Sequence, residues 1–504
     1  MKILPIEKVR EADAYTIEHE PVDSIDLMER AAKACSKWMM KNFNPTDRIK
    51  IFCGLGNNGG DGLAIARLMA KKDYRVEVFV VYYSDKMSED FSINLDNLKY
   101  QKKVKINEIR KIEDLPGAVD CDWIVDAIFG SGLSKPVTGF IGEVIAFINK
   151  QHAKVAAIDI PSGLFADTSS VDSGGAIVHA DITLTFEFAK KAFMFAENLP
   201  YVKEWEIMTI DLHPDFVNSV EKADYFLLKK DISPLIIKRK KFDHKGRFGH
   251  ALLIAGGYGK MGAAVLASEA CLRTGAGLLT VHVPVEGYRI LQVAVPEAMC
   301  SIDSSETIFT EAPDLEEYNA IGIGPGLGQE KQTQNALKVL IQNTKLPILF
   351  DADAINILGE NKTWLSFLPP GCIFTPHPRE FERLVGKASN AFERDKMQKE
   401  FSVKYSAYVV LKGYSTAISC PDGTTFYNST GNPGMATGGS GDVLTGVILG
   451  LLAQGYTPLH ACQVGVYLHG LAGDLASEEL GYEASLASDI TAHIGYAYQK
   501  LGEI

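Results

Sequence analysis

Short apolar runs alternate with longer amphipathic stretches along most of this chain. In the first half the runs fall at 49–52, 76–82, 123–129, 155–160 and 182–188, with helical patterns such as 63–72 and 142–150 among them. Apolar strands alternating with helices imply βαβ units around a parallel sheet. Residues 7–43 predict a leading helical segment. The pattern breaks after Asp211-Leu212-His213-Pro214, and the polar, basic stretch 219–248 reads as a linker. A second alternating series starts afresh at 251–255, 278–283, 320–323, 348–350, 373–375 and 408–411, and closes with helical patterns at 443–452, 460–476 and 489–500. Strands at 416–419 and 425–427, divided by Asp422-Gly423, predict a hairpin. The predicted fold class is α/β, with two tandem α/β/α domains over 1–218 and 225–504.

A length of 504 residues exceeds one ordinary core and agrees with two domains. With 46% hydrophobic and 23% charged residues, the composition is that of a globular protein. A formal net charge of −12 without a compensating Lys/Arg stripe argues against nucleic-acid binding. The basic run Lys238-Arg239-Lys240-Lys241 has no interleaved aromatics and reads as solvated linker. Eight cysteines without a CxxC pair read as small core residues in a reducing compartment, not a disulfide frame or zinc site. No apolar run has the length of a membrane span, and residues 1–10 lack a signal-peptide core. A cytoplasmic protein without a membrane partner is expected.

Two unlike glycine-rich segments carry the candidate chemistry. Gly54-Leu55-Gly56-Asn57-Asn58-Gly59-Gly60-Asp61-Gly62 follows a strand pattern and opens a helix pattern. That context suits a dinucleotide fold. The acidic residue expected at the end of the next strand is replaced by Val80-Val81-Tyr82-Tyr83, which disfavours an ordinary NAD-dependent dehydrogenase. Asp126 and Asp159 lie near the carboxyl ends of other strands, where ligands of open α/β sheets bind. Asn58, Asp126 and Ser162 offer hard oxygens suited to an alkali or alkaline-earth cation. Asp159, at the lip of an apolar strand, is expected to have its carboxyl pKa raised by desolvation, toward a general acid–base role. The alternative for both aspartates is turn or helix capping.

These segments, with Lys135-Pro136 and Ala157-Ile158-Asp159-Ile160-Pro161-Ser162-Gly163, resemble the NAD(P)H-hydrate epimerase domain over residues 1–215. The resemblance implies a Rossmann-like domain in which Asn58, Asp126 and Ser162 hold K+. It places the hydrated nucleotide on Asn57, Asn58, Gly59, Gly60 and Asp61, on Gly130, Ser131, Gly132, Leu133, Ser134, Lys135 and Pro136, and on the catalytic Asp159. The chain departs from that family at Glu187-Phe188-Ala189-Lys190-Lys191, where Pro-Lys is common.

The second segment, Thr437-Gly438-Gly439-Ser440-Gly441-Asp442, lacks the Lys-Ser/Thr of a P-loop. Its amides suit a transferring phosphoryl group, and Asp442 suits proton abstraction from an acceptor hydroxyl. The alternative is that Asp442 merely caps the helix. Lys412 is a flexible cation at a strand end, while Asp351-Ala352-Asp353 and Thr375-Pro376-His377-Pro378-Arg379-Glu380 close two further strands. With His244 to His250 and Gly324-Pro325-Gly326, these features resemble the ribokinase-like superfamily, and within it the ADP/ATP-dependent NAD(P)H-hydrate dehydratase, over 225–504. The resemblance implies that Lys412, Gly413, Tyr414, Ser415, Thr416 and Gly441 bind the adenine nucleotide. It implies that Ala263, Gly326, His377 and Asp442 line the hydrate site, with Asp442 catalytic.

Together the halves imply an isomerase and lyase acting on hydrated NADH and NADPH (NADHX and NADPHX), using K+, Mg2+ and ADP, with ATP as the other donor. A homo-oligomer is expected. A vitamin or sugar kinase fused to a nucleotide-binding module remains the alternative.

Overall fold

The computed structural model describes residues 1–118, 120–171 and 173–502. The chain folds as two compact units, one comprising Lys2–Ala223 with Asn390–Phe392 and the other the remainder. Among the described residues no helix is long and apolar enough to cross a membrane.

The first unit opens with helices α1 (Ile6–His19) and α2 (Ser24–Asn42), where the sequence pattern predicts one helical segment. Pro21 falls in the break, consistent with its missing N–H. Seven parallel strands follow: β1 (Arg48–Cys53), β2 (Arg75–Val81), β3 (Lys105–Ile109), β4 (Trp123–Ala127), β5 (Lys154–Ile158), β6 (Ala180–Phe186) and β7 (Val202–Met208). Their order is β3-β2-β1-β4-β5-β6-β7, so the chain reverses direction across the sheet between β1 and β4. Alternate residues serve opposite faces. Ile49, Ile51 and Cys53 pack with α2 and with α3 (Asn57–Lys71), whereas Phe52 packs with α4 (Gly139–Asn149). Three layers result. β3 and the charged β7 escape the hydrophobic pattern because edge strands stay half solvated.

In the second unit the strands are β8 (Asp224–Phe226), β9 (His250–Ile254), β10 (Leu278–Val283), β11 (Met299–Ile302), β12 (Ala320–Ile323), β13 (Ile348–Phe350), β14 (Ile373–Phe374), β15 (Tyr408–Leu411), β16 (Ala417–Ser419) and β17 (Thr425–Tyr427). They lie in the order β8-β17-β16-β15-β14-β13-β12-β9-β10-β11, parallel except where β16 meets β15 and β17. The predicted hairpin is present. The stretch expected to be a linker is instead partly structured: β8 pairs with β17, and the neighbouring Leu227 and Ile232 are buried. Isolated apolar anchors in a polar stretch gave no periodic signal.

Helices α5 (Met261–Thr274), α6 (Pro378–Val385), α7 (Ser440–Ala453) and α8 (Pro458–Leu480) frame the second site. α7 is buried throughout 443–453. A Cβ on Gly446 would lie 2.1 Å from the Ala267 carbonyl oxygen, so only glycine admits this approach of α7 to α5. That packing fixes where the glycine turn at the start of α7 stands.

Candidate functional site

The first cluster forms at the carboxyl ends of β1, β4 and β5, beside the reversal point of the sheet. Asn57 begins α3, so Gly59, Gly60, Asp61 and Gly62 belong to the helix and not to a loop before it. A Cβ on Gly59 would meet the Gly54 carbonyl oxygen at 2.0 Å, and this close contact brings Asn58 up to the strand ends. A Cβ on Gly130 would sit 3.4 Å from both Asn58 Cβ and Asp159 Oδ2, which places three separate motifs side by side.

Asp126 is fully buried and accepts hydrogen bonds from Ser162 Oγ (2.6 Å) and Ser162 N (2.8 Å). Burial pushes its carboxyl up to about 6, while the Ser162 bonds pull it back. Both polar atoms of the Asn58 amide are buried without a partner among the described residues. Such orphaned atoms are costly unless something supplies the missing contact. Ser131, Gly132 and Leu133 follow Gly130; Asn57, Ser134, Lys135 and Pro136 are exposed at the rim.

Asp159 departs from expectation. Burial does push its carboxyl up, but Lys190 Nζ at 2.8 Å from Oδ1 and the Ser131 N–H at 3.0 Å from Oδ2 outweigh that and hold it below the ordinary range. Lys190 is 1% exposed and also donates to the Phe188 carbonyl oxygen at 3.2 Å. Asp159 sits at φ 66°, a left-handed conformation that is costly for a non-glycine residue and concentrated at functional sites. Its neighbours shift the opposite way. Burial and the Asp159 charge raise Asp13, on α1, to about 6, and raise Asp61 well above its usual value.

In the second unit a cavity of about 680 Å³ is lined by His377, Lys412, Gly413, Tyr414, Thr416, Gly441 and Asp442, together with Asp351, Glu380 and His469. Ser415, Ala263 and Gly326 are not among its lining residues; a Cβ on Gly326 would lie 3.3 Å from the Ala263 side chain. Gly439, at φ 92°, caps α7 without a side chain, so Asp442 is not the cap. The Asp442 carboxylate has no hydrogen bond or ion pair among the described residues, and burial, with Asp351 and Glu380 nearby, pushes it up to about 6. His377 Nδ1 accepts from the Arg379 and Glu380 N–H groups and caps α6, while its half-exposed ring lines the cavity.

Lys412 is not the flexible cation expected from sequence. Its Nζ lies 3.0 Å from Asp351 Oδ1, and a Cβ on Gly441 would be 3.1 Å from it. Burial alone would lower its ammonium pKa; Asp351, Glu380 and Asp442 more than offset that and raise it. His469 Nε2 contacts the Ser440 carbonyl oxygen at 3.0 Å, and burial lowers its pKa to about 4. A neutral imidazole donating there steadies the glycine turn.

A family model described as NAD(P)H-hydrate dehydratase matches residues 251–495, and one described as YjeF-related protein N-terminus matches 24–192. The bifunctional NAD(P)H-hydrate repair enzyme Nnr of Moorella thermoacetica is 33% identical, covering 100% of this chain and 98% of that protein. Its namesake from Coxiella burnetii is 35% identical, with 97% of each chain covered. The chain belongs to the bifunctional NAD(P)H-hydrate repair enzyme family. A crystal structure of the ADP/ATP-dependent NAD(P)H-hydrate dehydratase from Bacillus subtilis, co-crystallised with ATP/Mg2+, is 31% identical with a TM-score of 0.49, covering 55% of this chain and 99% of that one.

Within this repair-enzyme frame, sequence reasoning passed over Lys190, Asp13 and His469, and gave Asp351 as the close of a strand without a role. Lys190 stood in the segment noted only as a departure from the epimerase pattern. Asp351 closes an apolar strand, a usable signal. Asp13 and His469 sit inside helical patterns, where nothing marks a polar residue as facing a site.

Proposed function

We propose that this chain restores hydrated NADH and NADPH, the first unit interconverting the R and S hydrates and the second dehydrating the S form with ADP. The unpaired Asp442, raised to about 6 against the glycine turn of a nucleotide-sized cavity, carries the reading. A base of that pKa accepts a proton efficiently near neutrality. In the hydrate a hydroxyl stands on the saturated carbon beside the ring nitrogen, and hydroxide is a poor leaving group. Asp442 takes the hydroxyl proton, the oxygen attacks the terminal phosphorus of ADP, and the bond to the bridging oxygen breaks to release AMP. The 438–441 amides and Lys412 face the charge of the transferring group. The ring nitrogen lone pair then expels phosphate, and loss of the adjacent carbon proton restores the dihydronicotinamide.

Three carboxylates, from Asp351, Glu380 and Asp442, share the cavity with the ammonium of Lys412. A polyphosphate entering that lining needs added positive charge, which fits a nucleotide accompanied by Mg2+, to which Glu380 would offer the oxygen not taken by the His377 N–H. When bound, Mg2+ neutralises phosphate charge. In the first unit the orphaned Asn58 amide, packed at Gly130, and the oxygens of Asp126 and Ser162 at the neighbouring strand ends fit K+. When bound, K+ supplies a fixed positive charge beside the nucleotide loop.

The test is incubation of each purified hydrate epimer with ADP or ATP, following recovery of absorbance near 340 nm and release of free phosphate. Asp159→Ala leaves S-hydrate dehydration intact and slows R-hydrate consumption to the spontaneous rate. A stable organic phosphate product would overturn the dehydration reading in favour of a kinase.

A further inference from the structure

Lys412 follows β15 and Asp351 follows β13, with β14 between them, so the ion pair spans the carboxyl end of the sheet. Asp351 is 1% exposed, and its two oxygens are both committed. Oδ1 takes Lys412 Nζ at 3.0 Å, and Oδ2 takes the hydroxyl of Thr445, on α7, at 2.8 Å. Thr445 is fully buried. One carboxylate thereby ties two strand ends to the helix that carries the glycine turn. The neighbouring Asp353 is directed elsewhere, accepting the Gly328 N–H at 2.9 Å.

We propose that Asp351 is a positioning residue of the second site: it holds the Lys412 ammonium against Gly441, where the transferring phosphoryl group docks, and withholds it from Asp442. The proposal deepens the dehydration reading and rests on it. A lysine released inside this cavity has two other carboxylates to choose from, Glu380 and Asp442. Glu380 already accepts the His377 N–H at 2.8 Å, whereas Asp442 has no hydrogen-bond or ion-pair partner among the described residues. Pairing with Asp442 would remove the base and the phosphoryl-facing cation together, because opposite charges within a few ångströms favour the ionised carboxylate and bind the ammonium. His469 does not compete for either charge, being neutral and bonded to Ser440.

The experiment uses the full-length enzyme with S-hydrate and ADP. Asp351→Asn keeps the shape and removes the charge. Its kcat falls about 10- to 100-fold, the scale of losing one preorganised electrostatic contact. Nucleotide affinity, measured by direct binding, changes less than about threefold, and the acidic limb of the kcat profile moves to lower pH. The double variant Asp351→Asn/Lys412→Met is no slower than Lys412→Met alone, since Asp351 acts through that lysine. Thr445→Val, which removes one anchor and no charge, gives a smaller loss in the same direction and guards against a misfolded Asp351 variant. Wild-type kcat and an unmoved acidic limb in Asp351→Asn, or losses that multiply in the double variant, would overturn the proposal. Failure of the wild-type enzyme to restore absorbance would instead overturn the dehydration reading beneath it.

Discussion

In the first unit the buried lysine bonds the candidate catalytic aspartate directly, Lys190 to Asp159 at 2.8 Å; in the second, Lys412 bonds Asp351 at 3.0 Å and leaves Asp442 without a partner among the described residues. Both aspartates lie against glycine-lined backbone and both are partly desolvated, yet their carboxyls move in opposite directions. The partner of the nearest ammonium decides the sign. The Asp159 carboxyl is lowered and favours its anion, whereas burial raises Asp13 and Asp126 to about 6 and Asp61 well above its usual value. Asp442, the proposed base, keeps a carboxyl raised to about 6 while Asp351 takes the nearby lysine.

The comparison breaks most sharply at Asp442→Asn, which keeps shape and loses the proposed base. Dehydration kcat should fall on the order of 10²-fold or more with nucleotide affinity nearly unchanged; wild-type turnover would remove Asp442 from the chemistry. Lys190→Met probes the opposite wiring and leaves Asp159 buried without its counter-ion. Epimerisation should be lost and stability should drop by about 3–5 kcal/mol, the cost of breaking a buried pair. The sign with pH follows from the shift. In the wild type the lowered Asp159 pKa stabilises the fold above the unfolded carboxyl value, and that contribution is lost as pH falls through the folded value. In the variant desolvation dominates and the pKa rises, so the melting deficit should be large at pH 7 and shrink toward pH 4.

A finer test separates the two sites by pH alone. Dehydration should decline below pH about 6, approaching about tenfold per unit, as Asp442 protonates. Epimerisation should show no such limb from Asp159. Replacing Asn58 with Leu should abolish any K+-dependent rise in melting temperature while leaving dehydration untouched. His377→Ala should have the smallest structural effect, about 1 kcal/mol from the lost α6 cap.

Much of this was legible in the chain. Apolar runs located the central strands to within a residue or two, the Asp422-Gly423 turn located the hairpin, and glycine runs located both helix starts. β3, β7 and β11 were not legible, because an edge strand such as 202–208 leaves Lys203, Glu204 and Glu206 exposed and breaks the apolar run. The expected rise in the Asp159 pKa failed for a different reason: desolvation can be guessed from an apolar neighbourhood, but a compensating charge cannot.

The amino-acid order alone therefore determined two α/β units, the glycine turns, and aspartates set at strand ends and a helix start. Which ammonium meets which carboxylate was decided only on folding. Asp351 and Lys412 are 61 positions apart and meet because β13 and β15 flank β14. Coulomb energy depends on separation in space and on the water excluded around it, and neither is written in the spacing of residues along a chain.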